Sequence, residues 1–467
     1  MGPEPASLYD DQKFGLLHPR HPLGKYPKNY PGRHHRDSIT RFTIPVVDAL
    51  CILQDSRDDK AREIAQIRHI FRDSYVTIIA ACAHKVSDGF LHDRRTTITE
   101  WCIWETKLLL FLCPDGSIGT MQLHMKENTP TEPINDRAWC LEERALSARR
   151  LVYATHTLLY ECQTIHDNVN HALNFVEMTR VEDIPRLPDC IFLPPATPRG
   201  NHPESAEDEA SKSWSEMLEI YTQRALTKPR DRLIALSGIA EQFSRFWSHS
   251  KYIAGLWEHQ LPGSLLWYNR GLKECCSRPD RYRAPSWSWA STEGRIDVGY
   301  CSNEGTLCTI FQWDVTATHP VNPFGQVNEG SLVLDAILQP AVWHPVVVGL
   351  LQGYLLEADG VLTDSPKSPK SEWDRYERGQ IGFAMRDAIE PVSEEIGRVH
   401  LALVRLSADL ILYGLVLVLV PVTSEVANAE RNDYPVFRRV GWFNAPYHRS
   451  PNLETWLKSM PHRIKIV

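Results

Sequence analysis

The sequence contains no Cys-x-x-Cys pair, no glycine-rich phosphate loop, no Gly-x-Ser-x-Gly elbow, no kinase-type motif set and no internal repeat. Zinc sites, phosphate cradles and activated serines need those residues at those spacings, so each absence removes an enzyme or binding class. A surplus of either charge is also missing. The 51 Lys and Arg stand against 58 Asp and Glu, a net charge of −7 over 467 residues, with no electrostatic case for nucleic acid or an anionic membrane. The most apolar run, Leu410–Val422, follows Asp409 and includes Pro421. It is shorter than the roughly 20 residues a helical span requires, and Tyr413–Val418 reads instead as a strand. The opening MGPEPASLYDDQ has neither a basic nor an apolar stretch, and Pro3 and Ala6 miss the myristoylation pattern.

What is present is an ordinary globular composition, 43% hydrophobic and 23% charged, in a chain long enough for two or three domains. Eleven cysteines form no framework, and Cys275-Cys276 are adjacent. Reduced, mostly buried thiols in an intracellular protein are expected. Residues 1–43 are rich in Pro, Gly, His and Arg without apolar periodicity and read as an irregular leader. Its His18, His21, His34 and His35 lack the spacing of ligands, so no metal is expected.

From Ile44 the pattern changes. Val46-Val47 read as the end of a buried strand with Asp48 at its tip, where open α/β sheets place ligand-binding residues. Asp58-Asp59 then open a helix with Ile64, Ile67, Ile70 and Phe71 inward, and Tyr75–Ala83 reads as a second strand. A strand-helix-strand unit with a right-handed crossover is expected. Leu108–Leu112 suggests a further strand pair.

The stretch Asp136–Cys162, DRAWCLEERALSARRLVYATHTLLYEC, organises the rest. Asn135 and Asp136 are helix-cap types, and Ala138, Leu141 and Ala145, widened by Trp139 and Leu146, recur at helical spacing. After Ser147, Leu151–Tyr153 and Thr157–Tyr160 read as paired strands. At ~100° per residue Glu142 projects inside the apolar arc and Glu143 past its edge, one turn after Trp139. The residues leave Glu143 two readings. It is a solvated or Arg-paired acid, with Arg137, Arg144, Arg149 and Arg150 close by, or a carboxylate beside a Trp that stabilises developing positive charge.

RAWCLEERALSARRLVY resembles the third conserved block of the fungal heterokaryon-incompatibility (HET) domain, with Cys140, Glu142 and Tyr160 where Thr, Gln and Trp are usual. Asp48-Ala49-Leu50-Cys51-Ile52-Leu53-Gln54-Asp55 resembles the second block, and Glu63 and Phe71 fall at its helix positions. The first block, a strand like Tyr-x-Ala-Leu-Ser-Tyr-x-Trp-Gly, has no counterpart in residues 1–43, so a truncated or degenerate copy is expected. More weakly, the Glu143 block is similar to the helix that carries the catalytic glutamate of NAD-cleaving TIR domains.

Further on, Trp214–Phe243 reads as helix broken at Thr227-Lys228-Pro229, and Tyr252–Tyr268 as another helix interrupted at Pro262-Gly263. Arg283–Ser291, RAPSWSWAS, completes the family-typical motifs; Ser286 and Ser288 lack an elbow and fit a structural role between alternating Trp. Beyond residue 300, short apolar runs between Pro, Gly and Asn suggest an antiparallel sheet packed on the helical region.

The resemblance thus implies an α/β domain with an incomplete TIR-like or flavodoxin-like open sheet, then a helical and a β-rich region. The expected divisions are a leader over 1–43, the HET domain over 44–165, a linker over 166–210, helices over 211–299 and β structure over 300–467. It implies a cytoplasmic effector of self/non-self recognition and cell death, acting with a protein partner or by self-association. For the enzymatic reading it implies NAD as substrate and no resident cofactor. Glu143 would be catalytic, with Asp48, Gln54 and Trp139 at the substrate; Arg137, Glu63 and Glu161 would be structural. The competing reading is a non-catalytic interaction module or an inactive relic.

Overall fold

The computed structural model describes residues 46–53, 55–91, 107–123, 132–155, 158–162, 164, 166–168, 187–192, 204–270, 278–299, 303–348, 351–358, 380–389, 398–421, 434–446 and 453–467. The leader histidines, Gln54, Cys275 and Cys276 lie outside them. The chain divides into two compact units, residues 1–186 and 187–467.

The first unit opens on a short helix, α1 (Asp48–Cys51), where a strand end was expected. Val46 is exposed, and the Val47 carbonyl accepts from the N–H groups of Leu50 and Cys51 at 2.9 and 3.0 Å. It is committed to starting a helical turn. Helix α2 (Arg57–Asp73) is capped by Ser56, whose Oγ accepts from Asp59 N at 3.2 Å, with Asp58 and Asp59 favourably placed at its positive end. Ile64, Ile67, Ile70 and Phe71 are half-buried, whereas Arg68 is buried.

Strand β1 (Thr77–Ile79) follows α2. A separate hairpin, β2 (Lys107–Leu112) and β3 (Ile118–Leu123), matches the expected pair. Helix α3 (Trp139–Leu146) then leads into β4 (Arg149–Tyr153), β5 (Leu158–Cys162) and β6 (His166–Asn168). Sheet order is β1-β4-β5-β6, with β1–β4 parallel and the other two pairings antiparallel. Among the described residues, therefore, no strand precedes α2 in a crossover, and the parallel partner of β1 is β4. Ile79, Ala81 and Val152 form its core, flanked by Ile134 and Leu159.

Among the described residues the first α-helix of the second unit is α4 (Glu204–Thr222), which starts inside the stretch read as loop. Its acidic first turn hid a helix that Ala210, Trp214, Met217 and Leu218 bury. After α5 (Ser237–Phe246), Tyr252–Tyr268 is not a helix. It forms a tight hairpin, β7 (Tyr252–Ile253) and β8 (Leu256–Trp257), then two 3-10 turns. Ala254 and Gly255 have φ of 46° and 102°, so both turn residues are left-handed and reverse the chain. Trp289 Nε1 donates to Gly255 O at 2.8 Å, and a Cβ on Gly255 would come 2.6 Å from that nitrogen. Two further short strands, β9 (Tyr268–Asn269) and β10 (Ile296–Asp297), pair antiparallel.

Among the described residues the β-rich region is one sheet of nine strands: β11 (Thr309–Ala317), β12 (Val327–Ala336), β13 (Leu338–Val348), β14 (Leu351–Ala358), β15 (Gln380–Arg386), β16 (Arg398–Leu406), β17 (Ile411–Leu419), β18 (Val436–Pro446) and β19 (His462–Ile466). Strands β13 to β18 form a closed ring, because β17 pairs with β18 as well as with β16. Leu401, Leu403, Val416, Phe443 and Trp343 fill its core, with Trp456 from helix α6 (Leu453–Leu457). β11, β12 and β19 extend from β18, and β18–β19 is the parallel exception in an otherwise antiparallel sheet. Closing the sheet removes two edges that would otherwise recruit other strands. None of the seven described cysteines is in a disulfide, yet Cys140 and Cys308 alone among them are buried, fewer than expected.

Two outcomes follow for the second unit. Gly255→Ala should destabilise it by about 2 kcal/mol or more, since it adds a clash to a left-handed backbone position; the urea midpoint measures this. Glu207 on α4 gives a pH dependence. Burial opposes its ionisation, but His259 beside it and Trp247 Nε1 donating at 2.6 Å hold its carboxyl below the usual range. A depressed carboxyl contributes stability above the unfolded pKa of about 4.3 and loses it as pH falls through the folded value. Glu207→Gln should therefore flatten the acid limb of a urea-midpoint profile.

Candidate functional site

Helix α3 carries the acids in question, and its entry differs from expectation. Asn135 and Asp136 lie in a 3-10 turn (Pro133–Asp136), and the residue at the α3 N-cap is Ala138, with no side-chain cap. Proline at the first position sets the 3-10 turn because its missing N–H has no partner to lose there. The helix buries Cys140, Leu141, Glu142, Ala145 and Leu146, while Trp139 and Glu143, one turn apart, are half-buried. Helix α2 packs against α3.

The end of α3 is fixed by hydroxyls. Ser147 Oγ donates to Glu143 O at 2.6 Å and lies 2.7 Å from Thr77 Oγ1 on β1. Thr77 Oγ1 in turn lies 3.1 Å from Ser74 Oγ, which donates to Phe71 O at 2.8 Å. In each of these two contacts of Thr77 Oγ1 either hydroxyl can be the donor. This chain ties the last turn of α2, the start of β1 and the last turn of α3 together. Sequence reasoning did not find it, because Ser74, Thr77 and Ser147 are unremarkable until the fold joins them.

Glu161 occupies the neighbouring buried position on β5. Arg144 donates to its Oε1 at 2.9 Å, and Arg150 Nε stands 2.8 Å from its Oε2 as an ion pair. Arg150 also donates to Arg144 O at 2.6 Å, and Arg144 reaches Asn135 Oδ1 at 3.4 Å. Burial pushes the Arg150 pKa down, Glu161 opposes that, and Arg144 reinforces it. With two guanidiniums upon it, the Glu161 carboxylate is committed to structure. Its signal in the sequence was a lone acid within the apolar run of β5. Glu132 forms a second anchor outside the expected set, accepting from Thr155 N at 2.7 Å and Thr155 Oγ1 at 3.0 Å.

The remaining candidates are less concentrated. Arg137 is exposed at the end of the 3-10 turn, and its N–H donates to Ile134 O at 3.2 Å. Glu63 lies on α2 with its Oε1 3.4 Å from Arg62 Nε. Asp48 is the first residue of α1. The structure thus joins Trp139 and Glu143 on one helix, gives Glu161 to Arg144 and Arg150, and puts Glu63 on the helix that packs against α3. Among the described residues no cluster of His, Cys, Asp or Glu could hold a metal ion, and no helix is long and apolar enough to cross a membrane.

Residues 42–143 match the family model described as Heterokaryon incompatibility protein (HET). The chain thus carries a HET domain at residues 42–143. Searches of curated proteins and of solved structures find no match.

The geometry separates the two acids by stability. Glu161→Gln should cost about 2–3 kcal/mol, because it leaves Arg144 and Arg150 without their counter-charge in a largely buried site. Glu143→Gln should cost less than about 1 kcal/mol, since its side chain is only half-buried. Urea denaturation followed by hydrogen exchange in β4 and β5 measures both.

Proposed function

We propose that this protein acts in heterokaryon incompatibility as an effector of cell death after self/non-self recognition, with the α/β unit as its signalling module. The observation that carries this reading is the HET match over residues 42–143, whose last helix keeps Glu143 half-buried beside Trp139. The finer reading is NAD cleavage at a TIR-like site. The bond between the ribose C1′ and nicotinamide breaks, nicotinamide leaves with the bonding pair, and water adds at C1′ to give ADP-ribose and a proton. Glu143 would stabilise the ribosyl cation, and the Trp139 face would exclude water on one side. Asp48 and Gln54 would contact the ribose.

Because Arg144, Arg150 and Glu161 satisfy one another, Glu143 is the acid of this cluster with the greater access to solvent, which supports its assignment. A second reading, a non-catalytic interaction module, draws on the β2–β3 hairpin. Leu110, Leu112 and Ile118 are each more than 70% exposed there, an apolar surface suited to a protein partner or to self-association.

The test measures NAD⁺ and viability in fungal cells expressing the native chain, Glu143→Ala, or Leu110→Ser with Leu112→Ser. Under the enzymatic reading the native chain depletes NAD⁺ and Glu143→Ala loses at least about 90% of that activity. Cell death with unchanged NAD⁺, lost in the hairpin variant and kept in Glu143→Ala, would replace catalysis with the interaction module. Full viability with the native chain expressed would remove the effector reading.

A further inference from the structure

The second unit contains a cleft of about 640 Å³, within the ~300–1,000 Å³ of small-molecule sites. Hydrogen bonds hold the loop that lines it. Ser286 donates through both N and Oγ to Val467 O and accepts from Arg439 N at 2.9 Å. Pro285 packs on Gly330 of β12 so closely that a Cβ there would collide with the proline ring. Beneath, Arg283 donates to Pro229 O at 3.1 Å, Thr292 O at 2.8 Å, Ala290 O at 2.6 Å and the Glu293 carboxylate. Its charge is spent on holding the loop.

The walls carry opposite chemistry. Arg278, Arg281, Arg438 and Lys465 line the cleft together with Arg283, whereas two carboxylates, Asp314 and Glu329, line it as well. Arg438 and Lys465 come from β18 and β19, which pair in parallel with Val436 opposite Lys465. Asp314 and Glu329 come from the adjacent strands β11 and β12. Tyr282 stands in the same lining, and burial, reinforced by Glu329, pushes its phenol up to about 12. Like any tyrosine phenol it is a hydrogen-bond donor at neutral pH.

Several like charges lining one concavity repel each other and favour an anion. Arginines present paired N–H groups that match phosphate oxygens. A bare anion would not need the two carboxylates, which instead suit hydroxyl or amino donors. We propose that this cleft binds a phosphorylated small molecule whose other end carries hydroxyl or amino groups, the chemistry of a nucleoside monophosphate or a sugar phosphate. The cleft lies wholly within the second unit and does not rest on the NAD reading.

Calorimetric titration of the full chain with AMP, ribose 5-phosphate, inorganic phosphate and adenosine tests it. At least one phosphate ester should bind saturably, about tenfold or more tighter than inorganic phosphate or adenosine. Arg438→Gln with Lys465→Gln should weaken that ester by about tenfold or more, and the exposed Arg281→Gln should weaken it without changing the melting temperature. Asp314→Asn should weaken the ester and leave inorganic phosphate unaffected. Which ester binds separates nucleotide from sugar phosphate. No saturable binding of either ester to folded native chain would overturn the proposal. So would an Arg281→Gln chain that melts normally and binds like the native one, or equal affinity for inorganic phosphate and both esters.

Discussion

A guanidinium shut away from water fixes how the second unit is built. Arg439 on β18 is fully buried; Asp387 meets it at 3.0 and 3.1 Å, and it donates to the carbonyls of Leu265 and Trp267 with the Trp267 ring 3.6 Å from its centre. Burial pushes its pKa down and the Asp387 carboxylate resists this, yet arginine remains a cation at any ordinary pH. A buried cation is tolerated only when every donor is met, so the 3-10 turns before β9, the loop at Asp387 and β18 must be correct together. Its own backbone then organises the next shell: Arg439 N donates to Ser286 and Arg439 O accepts from Arg278. The Arg-Ala-Pro-Ser-Trp-Ser-Trp segment is thus ordered by the sheet on which it lies. Ser286 and Ser288 serve as backbone partners, Ser288 Oγ donating to Ala254 O at 2.5 Å.

The first unit uses the same physics on a smaller scale. Glu161 neutralises Arg144 and Arg150, and the Ser74–Thr77–Ser147 hydroxyls close the last turns of α2 and α3. Both devices draw on α3, the first through Arg144 and the second through the backbone carbonyl of Glu143. Structural and candidate chemical roles are divided by helical angle: Glu142 is buried, Arg144 turns to Glu161, and Glu143 lies between them with access to solvent.

Much of this was legible where the pattern is local. Helix α2 follows from two acids and isoleucines at helical spacing, and β4–β5 follow from two apolar runs across a short turn. The HET resemblance rested on contiguous blocks; the matched stretch contains the Asp48–Asp55 block and the start of the block that opens at Arg137. The failures share a cause. Val46-Val47 and Tyr252–Tyr268 are apolar runs whose periodicity fits more than one conformation. In the first a single carbonyl, Val47 O, decided for a helix; in the second two left-handed residues decided for a hairpin. The acidic opening of α4 was read as loop, because the apolar positions that bury it come later in the helix.

By itself the sequence determined helix α2, the β4–β5 pair, the buried face of α3 and the position of Glu143 one turn after Trp139, since these depend on neighbours within a few residues. The tertiary structure alone decided that β1 pairs in parallel with β4 rather than with a strand before α2, and that β17 closes a ring on β18. It also decided which charges meet. Glu161 finds Arg144 and Arg150, Arg439 finds Asp387, and four strands with one loop share the bipolar cleft. Spacing along the chain cannot report such pairings, because a buried charge is stabilised by whatever the fold brings within about 3 Å of it, however distant in sequence.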